Sequence, residues 1–288
     1  MARLLASIAR LHIVAIGAMG TLTFAWVLCG VRPAELALIS AGHWFVVNLM
    51  NRVVDLREDE ENGVVGTELV KRHQGRTIAV ALVVLAVVLG YGLVWATPTV
   101  PVQLAFLGLG LVYNFRLLPG RRRLKELAFW KNTASATGFV LTCFLLPASA
   151  YPLLPSSTTT MVAVTIVWFF LFELSYEVLY DLRDTDGDRA AGVRSWPVLW
   201  GRPAASRLAV SLMLTSFLVV VVGFVVGVLP WRVAVMGAAP LVQAIVVVSF
   251  LPDRVSSRLC IGLTWMGVLL LGTYHGWELL GLPGSGRS

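Results

Sequence analysis

Long apolar runs separated by short polar connections dominate the chain. Nine can be placed, at 11–30, 34–51, 77–96, 100–115, 127–149, 160–180, 206–229, 231–250 and 258–280. A run of about 18 or more apolar residues is long enough to cross a bilayer as a helix. The apolar positions are continuous rather than alternating, which argues against a transmembrane β-barrel. The pattern predicts an all-α polytopic membrane protein with nine transmembrane helices. Residues 1–288 are expected to form one domain. The run at 100–115 is short, which predicts tilt or partial immersion. Pro98 and Pro101 separate the third run from the fourth, Pro147, Pro152 and Pro155 the fifth from the sixth, and Pro230 the seventh from the eighth. After Arg3 and Arg10 the first run continues to Gly30 with no small-residue cleavage site, so a helix is expected there rather than a cleaved signal.

Composition agrees with this pattern: 57% of residues are hydrophobic and 14% charged. The basic residues then set orientation. With a cytoplasmic N-terminus, only Arg32, Arg232 and Arg287 fall on the opposite side, leaving 20 of the 23 Lys and Arg on the cytoplasmic side. That is the positive-inside pattern of a multi-pass protein of a bacterial-type cell membrane. The net charge of +7 therefore reports topology, and no nucleic-acid partner is expected. Cys29, Cys143 and Cys260 are far apart in apolar runs and read as inert buried thiols.

Two acidic clusters carry the chemistry. Asn51, Asp55 and Asp59 are spaced four apart at the end of the second run, one helical stripe. Glu177, Asp181, Asp184 and Asp188 follow at i, i+4, i+7 and i+11 near the end of the sixth, and Glu173 extends that face one turn deeper. Either stripe alone is equally a solvated helix end. Two matched stripes on one membrane side favour a hard cation between them, because an ionised carboxylate at membrane depth costs about 2.5–3.5 kcal/mol. Mg²⁺ takes oxygen ligands, and combines one or two carboxylates with substrate phosphates. The nearby basic residues suit such an anion: Lys71 and Arg72 after the first cluster, Arg116, Lys125 and Lys131 after Tyr113, and Arg194 after the second.

Asn51-x-x-x-Asp55-x-x-x-Asp59 resembles the first aspartate-rich motif of the UbiA superfamily of intramembrane prenyltransferases. Tyr180-Asp181-x-x-Asp184-x-x-Gly187-Asp188-Arg189, followed by Gly192-Val193-Arg194-Ser195, resembles the second. The resemblance covers nearly the whole chain and implies that the nine helices surround a central cavity open to the cytoplasmic side. It implies Mg²⁺-dependent transfer of a prenyl group from a prenyl diphosphate to an aromatic or other lipophilic acceptor in the membrane. It implies that Asn51, Asp55 and Asp59 hold one Mg²⁺ and Asp184 and Asp188 another, with Asp181 as a supporting acid. These aspartates are the expected catalytic groups. Asn51, Lys71, Arg72, Tyr113, Arg116, Lys125, Lys131, Asp181 and Arg194 are expected at the substrate.

Two departures stand out. Arg52 follows the motif's asparagine where many members have aspartate. The stretch Asn62-Gly63-Val64-Val65-Gly66-Thr67 lacks the prolines common after the first motif, so Lys71 or Arg72 is expected to substitute for diphosphate contacts from that loop. Trp44, Phe45, Tyr113, Trp168 and Tyr176 are candidate faces for an allylic cation. His43 reads chiefly as a packing residue. Two other readings stay open: a terpene cyclase on the same scaffold, without an acceptor, and a cation transporter. The second is disfavoured because the acids gather at one membrane face.

Overall fold

Each of the nine apolar runs forms a helical rod in the computed structural model, which describes residues 7–282. Arg3 and Arg287, both counted in the charge asymmetry, lie outside the described residues. The rods are α1 (Leu11–Cys29), α2 (Ala34–Val54), α5 (Gln74–Trp95), α6 (Val100–Asn114), α7 (Ala128–Ala150), α8 (Thr159–Ala190), α10 (Arg202–Val225), α11 (Trp231–Val248) and α12 (Ser257–Leu279). Short helices α3 (Leu56–Glu61) and α4 (Thr67–Arg72) join α2 to α5, and α9 (Trp196–Trp200) joins α8 to α10. Among the described residues there is no sheet, only one isolated bridge between Leu118 and Arg122.

Seven of these rods are long and apolar enough to cross a membrane. The expectation of nine spans is narrowed accordingly. α2 carries Glu35, His43, Asn48, Asn51 and Arg52 within its 21 residues, and α6 has only 15. At 1.5 Å per residue α6 is about 22 Å long, short of a hydrocarbon core of about 30 Å.

Local chemistry explains the ends. The Thr158 hydroxyl caps α8 by accepting from the Met161 N–H at 3.2 Å. α8 runs ten residues past the predicted boundary at 180, through Gly187 and with no proline to stop it, and the chain turns away at Gly192, which takes φ 72°. Within α7 the stretch Leu141–Leu145 widens to a π-type turn just ahead of Pro147. Proline lacks an N–H and crowds the carbonyl four residues back, and the wider turn accommodates both effects.

Small residues let α1, α2 and α7 approach closely. The Trp44 ring lies against Gly17 and Gly138, stacks on Phe139 with centroids 4.1 Å apart, and donates from its indole nitrogen to Thr142 Oγ1 at 3.2 Å. Thr21 Oγ1 and Ser40 Oγ donate to the Gly17 carbonyl at 2.8 and 3.2 Å. A second apolar cluster around Leu179, Leu182, Met213 and Val247 joins α8, α10, α11 and α12. Outward-facing Leu38, Val94, Val225 and Leu269 are exposed, as lipid-facing residues should be. The three cysteines are free and buried, as expected. His43 is likewise internal, its ring nitrogen 2.9 Å from Gln103 Oε1.

A Cβ added at Gly17 would stand 2.5 Å from Trp44 Cδ1, and stacking and hydrogen bonding hold that ring in place. Overpacking costs about 1–3 kcal/mol, more than the ~1 kcal/mol that alanine gains over glycine in a helix. Gly17→Ala should therefore lower the melting temperature of the detergent-solubilised protein; an unchanged or raised value would show that the Trp44 contact is slack.

Candidate active site

The first acidic stripe crosses a bend. α2 ends at Val54, Asp55 leaves helical geometry at φ −98° and ψ 21°, and α3 begins at Leu56. The helical hydrogen bonds continue across it, from Asp55 N to Asn51 O and from Asp59 N to Asp55 O, both at 2.8 Å. Asn51, Asp55 and Asp59 therefore still share one face, and all three are buried. The Asn51 amide donates to the Asp55 carboxylate and, at 3.0 Å, to Asn114 Oδ1.

The second stripe lies wholly on α8, where Asp181 and Asp188 are buried. The two motifs meet where α8 passes the loop behind α3. A Cβ at Gly187 would stand 2.0 Å from Asn62 Oδ1, so glycine is what allows this approach. Between the motifs lies a cavity of about 310 Å³. Asn51, Asp55 and Asp59 line one wall and Asp181, Asp184 and Asp188 another, with Trp44, Phe106 and Phe139 supplying apolar surface.

Every aspartate that lines the cavity is matched by a basic residue. Lys125 Nζ stands 2.6 Å from Asp55 Oδ1 and 2.5 Å from Glu58 Oε2. Arg123 reaches the same two carboxylates, each at 2.9 Å, and Glu126 at 2.9 Å. Lys131 Nζ bridges Asp181 at 2.8 Å and Asp188 at 2.7 Å, while Asn132 donates to the other Asp181 oxygen at 2.9 Å. Arg183 Nε donates to Asp184 Oδ1 at 2.7 Å. Arg52, 1% exposed, donates to Asp59 Oδ2 at 2.6 Å and to the Val65 carbonyl at 2.7 Å.

Burial raises the Asp55 carboxyl above the ordinary range, and Lys125 offsets only part of that effect. Burial also acts upward on Glu58, but the bonds from Lys125 and Arg123 outweigh it and hold Glu58 below its usual value. One loop pair of cations thus serves two carboxylates unequally.

Of the expected site residues, Asn51, Asp55, Asp59, Tyr113, Lys125, Lys131, Asp181, Asp184 and Asp188 line this cavity. The other four, Lys71, Arg72, Arg116 and Arg194, are exposed and lie outside it. Lys71 is paired with Glu60 at 2.6 Å, and Arg116 lies 3.9 Å from Glu126; both are long, solvated side chains better satisfied at the surface. Lys71 and Arg72, which follow the proline-free loop, do not line the cavity. The loop is instead tied down by Arg52 through Val65. Among the candidate aromatic faces, Trp44 and Tyr113 line this cavity, Trp168 and Tyr176 line an adjoining one, and Phe45 packs among apolar residues around Val46 and Leu49.

Sequence reasoning passed over Arg123, Glu58, Arg183 and Asn114 as functional residues. Arg52 and Asp59 are seven apart, close to two helical turns, and that spacing was a usable signal for their pairing. Arg123 had none, because the loop path that brings it to Asp55 is a tertiary matter.

The donor set fits a hard cation. It consists of carboxylate and amide oxygens, two lysine ammoniums already sit among the carboxylates, and the His12 imidazole lies on the same lining. Among the described residues no three acidic, histidine or cysteine side chains form a closed metal cage. Such an open set suits Mg²⁺, which keeps waters and shares substrate phosphates with one or two carboxylates.

A family model described as the UbiA prenyltransferase family matches residues 8–266. A UbiA homologue from Archaeoglobus fulgidus, solved with GPP and Mg²⁺, superposes with a TM-score of 0.73 at 15% identity, covering 96% of this chain and 99% of that one. A UbiA homologue from Aeropyrum pernix K1, solved in its apo form, gives 0.65 at 16% identity over 94% and 98%. A digeranylgeranylglyceryl phosphate synthase gives 0.58 at 13% identity over 94% and 96%. No curated protein sequence matches the chain.

The Arg52–Asp59 pair is a test of the charge matching. Truncating one partner of a buried ion pair costs about 3–5 kcal/mol, whereas replacing both by apolar groups is often neutral. Arg52→Met alone should destabilise the protein by that order in a denaturant titration, and Arg52→Met/Asp59→Leu should recover most of the loss. Additive losses in the double variant would show that the two side chains act separately.

Proposed function

This chain belongs to the UbiA prenyltransferase family, and we propose that it transfers the prenyl group of a Mg²⁺-bound prenyl diphosphate to an aromatic or other lipophilic acceptor, in quinone- or lipid-type biosynthesis. The observation that carries this reading is the pair of buried, oxygen-rich walls facing one cavity, with Lys125 and Lys131 held among their carboxylates. In this reading Asn51, Asp55 and Asp59 hold one Mg²⁺, Asp59 through the oxygen that Arg52 leaves free. Asp184 and Asp188 hold the other. Asp181, held by Lys131 and Asn132, supports them by positioning the lysine. The solved homologues with GPP or DMAPP and Mg²⁺ support the choice of cofactor and donor.

Bound Mg²⁺ supplies positive charge at the leaving diphosphate and weakens the allylic C–O bond. The chain's own residues do the rest. Lys125 and Lys131 hold carboxylates in the absence of substrate, and the same ammoniums move onto phosphate oxygens when the diphosphate enters. Asn114 fixes the Asn51 amide so that its oxygen faces the cavity. The Trp44, Phe106 and Leu109 surface takes the prenyl tail and keeps water from the cation, and the faces of Trp44 and Tyr113 stabilise that cation. Arg72, Arg116 and Arg194 serve as cytoplasmic surface charge, as does Lys71 in its pair with Glu60. Both motifs and the cavity mouth face the cytoplasm, and the chain works as a single domain.

The test is purified protein with Mg²⁺, labelled geranylgeranyl diphosphate and a membrane lipid extract. Free diphosphate with a prenylated acceptor supports transfer, a cyclised hydrocarbon points to a cyclase, and no consumption of any prenyl diphosphate sinks both. Asp55→Ala and Asp184→Ala should each lower turnover at least about a hundredfold, the size of losing a major electrostatic contribution, while elution on gel filtration stays unchanged. Wild-type turnover in either variant would disprove the metal assignment. Chelation with EDTA should abolish turnover, and added Mg²⁺ should restore it.

A further inference from the structure

One ionisable side chain on the acidic cavity stands apart from its charge pairs. His12, in the first turn of α1, lines the cavity and is 8% exposed. Its imidazole makes no hydrogen bond or ion pair among the described residues, and neither ring nitrogen is sealed from the cavity. The other two histidines on long helices are placed differently. His43 pairs with Gln103 and has its second nitrogen sealed in the interior. His275 has both nitrogens engaged, by Thr23 and Arg32.

The surroundings of His12 join the acidic walls to apolar surface. Its chain neighbour Ile13 lines both this cavity and a second one between α1, α8, α11 and α12, as do Phe139, Glu177 and Tyr180. A prenyl cation and the group that captures it would meet on such a lining.

Prenyl transfer leaves a proton to be removed. The allylic C–O bond breaks with its electron pair leaving on the diphosphate. An electron pair of the acceptor then forms the new bond to the allylic carbon, and the acceptor is left with one proton in excess. The aspartates of the cavity and Glu58 are engaged by Arg52, Arg123, Lys125, Lys131 and Arg183. Glu177 also faces the cavity, but a carboxyl is basic only when ionised, which costs about 2.5–3.5 kcal/mol at membrane depth. Imidazole is basic in its neutral form, with one nitrogen lone pair free, so His12 meets no such cost.

We propose that His12 is the base of the reaction. Its free ring nitrogen takes the acceptor's proton once the new bond has formed, and passes it to the departing diphosphate. The net change exchanges the acceptor's proton for the prenyl group. This inference rests on the transfer reading and adds to it a residue on α1, outside both acidic motifs.

The test uses full-length protein in detergent with Mg²⁺, labelled geranylgeranyl diphosphate and a membrane lipid extract. His12→Ala should lower the yield of prenylated acceptor at least about a hundredfold, the contribution of a positioned base. Its affinity for geranylgeranyl S-thiolodiphosphate, a slowly ionising analogue of the donor, should stay that of the wild type. Added imidazole should restore transfer severalfold in His12→Ala and leave the wild type unchanged, a response that a purely structural defect would not give. His12→Asn keeps a polar side chain but no base and should lose transfer to the same degree. Diethyl pyrocarbonate gives a readout without any substitution: it should modify His12, read by peptide mass spectrometry, and the thiolodiphosphate with Mg²⁺ should protect it. Wild-type transfer in either variant, a deficit in His12→Ala that imidazole leaves untouched, or an unreactive His12 would overturn the assignment and leave the transfer reading standing. A wild-type protein that consumes no prenyl diphosphate would overturn the transfer reading, and this assignment with it.

Discussion

Charge compensation in a low-dielectric interior is the constraint on which the rest of this structure depends. Five aspartates and a neighbouring glutamate are brought to one cavity, and an isolated ionised carboxylate there would be costly. The chain answers with Arg52, Arg123, Lys125, Lys131 and Arg183, each within hydrogen-bonding distance of a carboxylate. These cations are not interchangeable. Arg52 and Arg183 lie on the same helices as their partners or beside them, so their pairs form as the local structure forms. Arg123 and Lys125 come from the α6–α7 connection, and Lys131 from α7, so their pairs form only when distant elements dock.

The helical scaffold exists to bring those elements to register. Glycine at position 17 lets α1 meet the Trp44 ring, glycine at 138 does the same from α7, and the resulting layer forms the apolar surface beneath the acidic walls. Hydroxyls that donate to backbone carbonyls, such as Thr21 and Ser40, hold the same layer without introducing charge. Polar satisfaction and close packing therefore act at the same point in the molecule.

Much of this was legible in the sequence. The nine rods follow from the apolar runs, and both acidic stripes follow from i, i+4 spacing, because helical periodicity is a local property. The bend at Asp55 was not legible, since a single residue leaving helical geometry leaves no mark on that spacing. Arg52 read as a departure from the motif, and its partner became visible only when the backbone placed Asp59 beside it. The outward placement of Lys71, Arg72, Arg116 and Arg194 was not legible for a shared reason. Charge and proximity along the chain do not say which way a long side chain points. Arg123, between Arg122 and Leu124, was indistinguishable from its basic neighbours until the loop path was known. The second cavity was likewise unreadable, because it is a space between four helices rather than a pattern on one.

The contact between Gly187 and Asn62 ties the history of the two motifs together. A side chain at 187 would occupy the volume that Asn62 now fills, so 187 can enlarge only if the Asn62 side chain shrinks or moves. In related sequences a larger residue at the first site should accompany a smaller one at the second. The loop behind the first motif is then set by the second, and a change in its length or composition alters both acidic walls of the cavity at once.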